Sequence, residues 1–254
     1  MILNFKKYGE TGPHLIILHG LFGMLDNWHT LAVKFGEHFQ VWAIDQRNHG
    51  KSPHTDDISY PLLAEDLEEF YEQHSIPEAI ILGHSMGGKT AMEFAIGHPE
   101  KVSKLIVVDI APKAYTGKGH DLLIQALQDL ELDNIKRRND ADEALKQSIP
   151  VESTRQFLLK NLTREGDKYV LKMNLESLAE HYDKLIGNIE ATGVFNKQTL
   201  FIKGGNSDYI EDGDKPLILD QFPKAEFITI PGSGHWVHAE APLEFYNVVM
   251  EFLA

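Results

Sequence analysis

Residues 79–90 read Ala-Ile-Ile-Leu-Gly-His-Ser-Met-Gly-Gly-Lys-Thr, and two chemistries share this stretch. Gly83-His84-Ser85-Met86-Gly87 fits G-x-S-x-G, the sharp strand-to-helix turn that exposes a serine nucleophile. Gly83 with Gly88-Lys89-Thr90 also fits G-x-x-x-x-G-K-[ST], a loop whose amides cradle phosphate. The apolar run 105–108 ending in Asp109 adds to the second reading, because such an Asp holds magnesium in phosphate-transferring enzymes. Both patterns sit on a strand-to-helix turn, so other residues must separate them. Serine chemistry needs a histidine base, an acid to orient it and backbone donors for an oxyanion. A phosphate loop needs none of these, and it commonly follows an early strand.

The remaining parts of a serine site can be located. After the apolar run 227–230 comes Pro231-Gly232-Ser233-Gly234-His235-Trp236, whose glycines let a loop present His235 towards the serine. The chain holds 13 histidines, so position decides: His235 follows the last strand and precedes the final helix. His238, three residues on, reads as a surface or supporting residue. The run 15–18 leads into His19-Gly20-Leu21-Phe22-Gly23, a glycine-punctuated turn. Oxyanion donors in such sites are the amide after the nucleophile, here Met86, and one from the early loop, here Leu21. With the chain order serine, acid, histidine, the candidate acids are Asp109, at the end of the next strand, and Asp208, in Gly204-Gly205-Asn206-Ser207-Asp208-Tyr209. Aligning Gly204 rather than Gly205 with the usual turn puts Ser207 at the acid's place, and Glu176 is a distant third.

Elements that would position these residues follow from the apolar pattern. Nearly continuous apolar runs at 15–18, 41–44, 79–82, 105–108, 200–202 and 227–230 predict strands buried on both faces of a mostly parallel sheet. Helical patterns lie between them at 27–39, 61–74, 86–97 and 242–253, giving a doubly wound α/β fold. One interval breaks the alternation. Helices are expected near 121–132, 140–147, 153–162 and 174–186, with Ser153 and Gln156 as a capping box and a hairpin at 164–170 turning on Gly166-Asp167. The expected division is a core of 1–111 and 191–254 with a helical cap, or lid, at 112–190, and Phe157, Leu158 and Tyr182 folding over Ser85.

Composition excludes several classes. Lys plus Arg is 24 against 38 Asp plus Glu, a net charge of −14, which argues against a nucleic-acid binder. Residues 113–190 hold 12 basic and 14 acidic side chains, so the excess acid lies on the core and reads as a solvated surface. With no cysteine there is no disulfide, thiolate metal site or thiol nucleophile. No apolar run approaches the roughly 20 residues of a membrane span, and residues 1–8 lack a signal-peptide core, so a cytoplasmic protein without membrane association is expected.

Together these stretches, with Asp45-Gln46-Arg47-Asn48-His49-Gly50-Lys51-Ser52 and Val108-Asp109-Ile110-Ala111-Pro112, resemble the α/β-hydrolase superfamily over nearly the whole chain. The chain looks similar to small bacterial carboxylesterases and acyl-thioesterases with a helical lid. The resemblance implies hydrolysis of small-molecule acyl esters or thioesters with no metal or organic cofactor. Short to medium acyl chains carried on Ser85 are expected, and the resemblance favours Asp109 over Asp208 as the acid, because the Val-Asp-Ile-Ala-Pro stretch resembles the branch that uses the earlier strand. The Asp45–Ser52 stretch would shape the turn after its strand. Thioesterase, C–C hydrolase or haloperoxidase chemistry would use the same residues; a P-loop nucleotide binder or a non-catalytic receptor are the readings from other classes. Oligomeric state is left open.

Overall fold

Strand β1 (Phe5–Tyr8) carries two lysines and half-buried side chains, and it pairs antiparallel with β3 (Gln40–Ile44) at the sheet edge. The sequence pattern does not announce it. An edge strand buries one face at most, so its apolar signal is weak. The remaining strands, β2 (His14–Leu18), β4 (Ala79–His84), β5 (Val102–Val108), β8 (Thr199–Gly204) and β9 (Ala225–Ile230), pair parallel in a seven-stranded sheet of order β1-β3-β2-β4-β5-β8-β9. This computed structural model describes residues 1–116 and 119–254.

Every residue of β4 is buried, as its unbroken apolar run requires. β9 departs from the expectation of two-sided burial: it is the other edge of the sheet, and most of it is only half-buried. Helices α1 (His29–Phe35), α2 (Tyr60–Gln73) and α3 (Met86–Gly97) connect the first strands. The expected helix at 27–39 is shorter, because residues 25–28 form a 3-10 turn first. α2 is capped by Ser59, whose hydroxyl accepts from the Leu62 amide at 3.4 Å, and Pro61 occupies its first turn.

Between β5 and β8 lie α4 (His120–Gln128), α5 (Arg138–Leu145), α6 (Glu152–Leu159), the hairpin β6 (Leu162–Glu165) and β7 (Lys168–Leu171), α7 (Leu175–Glu180) and α8 (Tyr182–Ile186). Residues 117 and 118 of the expected insertion lie outside the described residues. The hairpin turns at Gly166, with φ 61°, as its sequence predicts. Two local expectations fail. The Ser153–Gln156 capping box does not form: α6 starts after Val151, Ser153 lies inside the first turn, and Gln156 donates to Asp142. The helix expected at 174–186 breaks at His181, whose Nε2 lies 3.3 Å from Asp57 Oδ1. An apolar cluster that includes Ile124, Leu145, Leu158, Leu178 and Leu185 joins this segment to Phe22 and Met86 of the core. The chain closes with α9 (Lys215–Gln221), α10 (Val237–Glu240) and α11 (Pro242–Leu253).

Candidate active site

Ser85 is the single residue between β4 and α3, and its backbone sits at φ 52°, ψ −120°. Residues with a Cβ rarely adopt this region, which costs about 1–3 kcal/mol. Close backbone approach holds it there. A Cβ on Gly83 would fall 2.1 Å from the Gly87 carbonyl oxygen, and one on Gly87 would fall 2.4 Å from that of Leu18. The Ser85 amide donates to the Val108 carbonyl at 3.0 Å, and the Gly88 amide donates back to Ser85 at 2.8 Å. The turn therefore fixes the hydroxyl at the mouth of the sheet and at the positive end of α3.

Asp109 follows β5, also at positive φ (52°), and its carboxylate is fully buried. Oδ1 accepts from the Gly204 amide at 3.0 Å; Oδ2 accepts from the Ser207 hydroxyl and from His235 Nδ1–H at 2.8 Å. Burial pushes the carboxyl up to about 6, against the opposing pull of the Ser207 and Gly204 donors. Asp208, the alternative acid, lies exposed on the turn after β8, and its charge adds to the rise at Asp109. The residue of that turn that reaches Asp109 is Ser207.

The imidazole is held from several sides. Tyr209 stacks on it with ring centres 3.8 Å apart and planes 17° from parallel. Glu240 accepts from the amides on either side of His235, Gly234 at 2.7 Å and Trp236 at 3.2 Å. His84 Nε2–H donates to the His235 carbonyl at 2.9 Å, and burial keeps that ring well below the usual histidine range, hence neutral. Tyr209 and His84 give no local sequence signal for these roles, because their contacts with His235 join distant parts of the chain, and Glu240, only four to six residues from the amides it binds, was not singled out by the sequence. His238 is not at the surface: it is buried and stacks on Trp28, with ring centres 4.1 Å apart.

The loop at 19–23 is fixed by neutral histidines. His19 Nε2 accepts from the Gln46 amide at 3.0 Å, while Gln46 Nε2 donates to the His19 carbonyl at 2.7 Å. His49 Nε2 accepts from the Phe22 amide at 3.3 Å. Burial lowers His19 to about 4 and His49 to about 3, which keeps both rings able to accept. Asn161, from the segment between β5 and β8, donates to the Phe22 carbonyl at 2.7 Å. Among the described residues, the Leu21 and Met86 amides have no hydrogen-bond acceptor. The Asp45–Ser52 stretch does shape its turn: Asp45 accepts from the Leu25 and Lys51 amides at 2.7 and 2.9 Å. Arg47 pairs with buried Asp66 through Nε–Oδ2 at 2.6 Å and a second bond at 2.8 Å.

Two cavities meet at Ser85. The larger, 340 Å³, is lined by His235, Leu21, His120, Ile149, Phe157 and Trp236 among others. The smaller, 30 Å³, has Met86, Tyr60, Lys89, Ile110 and Ile186 in its wall. Phe157 lines the larger cavity and packs on Trp236, ring centres 5.4 Å apart, whereas Leu158 and Tyr182 lie behind it in the apolar cluster. Glu176 is exposed on α7, away from both cavities. Lys89, which a phosphate loop would aim at its ligand, is 1% exposed and donates to the carbonyls of Lys113 at 2.8 Å and of Gly187. Its burial among these carbonyls speaks against the nucleotide reading.

Comparisons with known proteins agree with this geometry. The family model described as alpha/beta hydrolase fold matches residues 13–242. A solved structure of a marine microorganism esterase superimposes with TM-score 0.97 at 45% identity, covering 98% of each chain. Esterase YbfF of Escherichia coli is 34% identical over 100% of this chain and 99% of its own. The sn-1-specific diacylglycerol lipase ABHD11 of Mus musculus is 38% identical over 99% of this chain and 84% of its own. With the elbow serine, the Asp–His pair and the sheet order of the same fold, the chain belongs to the α/β-hydrolase family and stands among its esterase-type enzymes.

Proposed function

We propose that the protein hydrolyses carboxylic esters with short to medium acyl chains through an acyl-enzyme on Ser85. The observation that carries this reading is the 2.8 Å bond between His235 Nδ1 and Asp109, on a loop facing the same cavity as Ser85. In the proposed cycle, His235 Nε2 takes the Ser85 proton as the hydroxyl oxygen attacks the acyl carbonyl. The Leu21 and Met86 amides receive the oxyanion, each such donor contributing about 3–4 kcal/mol. His235 then protonates the departing alcohol, and water attacks the acyl-enzyme by the same route in reverse. Asp109 holds the proton on Nδ1 and stabilises the imidazolium.

The segment 112–190 serves as a cap over a core of 1–111 and 191–254. His120, Ile149 and Phe157 line the larger cavity from that segment, and Asn161 ties it to the oxyanion loop, which supports this division. Turnover of 4-nitrophenyl esters and acyl-CoA thioesters of graded chain length, with Ser85→Ala as control, tests the reading. Esters are expected to be cleaved faster than thioesters. Turnover that survives in Ser85→Ala refutes it.

A further inference from the structure

His235 lines the 340 Å³ cavity and not the 30 Å³ one, whereas Met86 lines the 30 Å³ cavity and not the larger. This asymmetry orients a substrate. The leaving alcohol must lie where His235 can protonate it, on the side of the wide cavity. The acyl carbon bonded to Ser85 then directs its chain to the other side, past the Met86 amide into the narrow cavity. A void of about 10–15 Å³ admits one water. The narrow cavity, 30 Å³, therefore has room for a methyl or ethyl group and not for a hexanoyl chain.

The wall of this cavity is fastened rather than loosely packed. Tyr60 donates its hydroxyl to the Leu185 carbonyl at 2.5 Å, and Tyr115 donates to the Tyr209 carbonyl at 2.7 Å. Lys89 lies between the two rings, its Nζ 5.5 Å from the Tyr60 ring centre and 4.9 Å from that of Tyr115. Its three ammonium protons go to carbonyls at both roots of the segment between β5 and β8: Lys113 at 2.8 Å, Ile186 at 3.4 Å, and Gly187. One helical turn further along α3, Glu93 accepts from the Glu190 and Ala191 amides at 2.7 and 2.9 Å. The helix that carries the nucleophile thus also pins the roots of the segment that closes the cavity.

We propose that the narrow cavity is the acyl subsite, that Lys89 holds its wall shut, and that the enzyme is in consequence selective for acetyl and propanoyl esters of larger alcohols. This rests on the assignment of Ser85 and His235 above and narrows its acyl range to the short end. With its protons occupied, Lys89 acts as a positioning residue and makes no contact with the acyl group through its charge.

Hexyl acetate and ethyl hexanoate are isomers that differ in which side of the ester bears the long chain. The wild-type enzyme is expected to cleave hexyl acetate with kcat/KM at least tenfold above ethyl hexanoate, since methylenes that do not fit each cost a large factor. A ratio below tenfold, in a reaction abolished by Ser85→Ala, overturns the proposal. Activity that persists in Ser85→Ala defeats the parent reading instead. Ile186→Ala, which enlarges the cavity, and Lys89→Met, which releases both roots, should each lower the ratio at least threefold. An unchanged ratio in both folded variants overturns the assignment of the wall. If neither variant folds, the wild-type ratio decides.

Discussion

Replacing Asp109 by asparagine removes one acceptor from a site where three donors converge. Gly204 N–H, Ser207 O–H and His235 Nδ1–H all point at the two carboxylate oxygens. An amide can offer one oxygen. If that oxygen keeps the Gly204 bond, the amide NH2 faces His235, and the imidazole must turn its unprotonated nitrogen towards it. The proton then sits on Nε2, where it cannot accept from Ser85. A wrong tautomer of this kind costs on the order of 10⁴ in turnover, about 5.4 kcal/mol of transition-state stabilisation. Asp208→Asn alters an exposed turn residue and should stay within about tenfold of wild type. Steady-state kinetics with 4-nitrophenyl acetate, on variants whose thermal unfolding shows them folded, separates the two. Near-normal activity in Asp109→Asn together with collapse in Asp208→Asn would refute the reasoning.

Four further outcomes follow from contacts at the site and around it. Because burial raises the Asp109 carboxyl to about 6, kcat/KM should fall on acidification with an apparent pKa near 6 that belongs to the Asp–His pair; a profile flat down to pH 5 contradicts this. The linked stability has the opposite sense: the folded state takes this proton first, so the group's contribution to stability grows as pH drops from above 6 to below 4, and urea titrations of wild type against Asp109→Asn should converge there. Glu240→Ala leaves the Gly234 and Trp236 amides to water and should lower kcat by about threefold to tenfold, an effect absent if the His235 loop holds itself. Arg47→Met takes the guanidinium from buried Asp66, leaving it the Met1 amino group at 3.6 Å, and should cost about 3 kcal/mol, read as a Tm drop of about 10 °C that Asp66→Leu partly restores.

Much of the site was legible because its parts are local. The elbow is contiguous in sequence, and its glycines are dictated by backbone approaches of 2.1 and 2.4 Å that no other residue survives. His235 and the 19–23 loop stand at strand ends, where the alternation of apolar runs and helical patterns places them. The acid was harder, since two carboxylates occupy equivalent strand ends; in the fold the turn after β8 brings Ser207 to Asp109 and leaves Asp208 outward. Of the two readings of His238, surface or supporting, the surface one fails: its ring buries against Trp28, a partner 210 positions away that periodicity does not reveal, and packs on His84 with ring centres 4.7 Å apart. Ser153 and Gln156 have capping-box spacing, but α6 begins one residue earlier, at Glu152, and Arg155 turns inward to the Ile149 and Pro150 carbonyls. The Gly88-Lys89-Thr90 match to a phosphate loop has the right residues, yet Lys89 faces carbonyls at both roots of the inserted segment.

The central claim is a covalent acyl-enzyme on Ser85, and its most direct measurement is peptide mapping by mass spectrometry after reaction with an alkyl fluorophosphonate. The account predicts stoichiometric labelling at Ser85, loss of esterase activity in step with it, and no label in Ser85→Ala. Labelling at another residue with Ser85 unmodified and activity gone, or full activity once Ser85 is blocked, would contradict it.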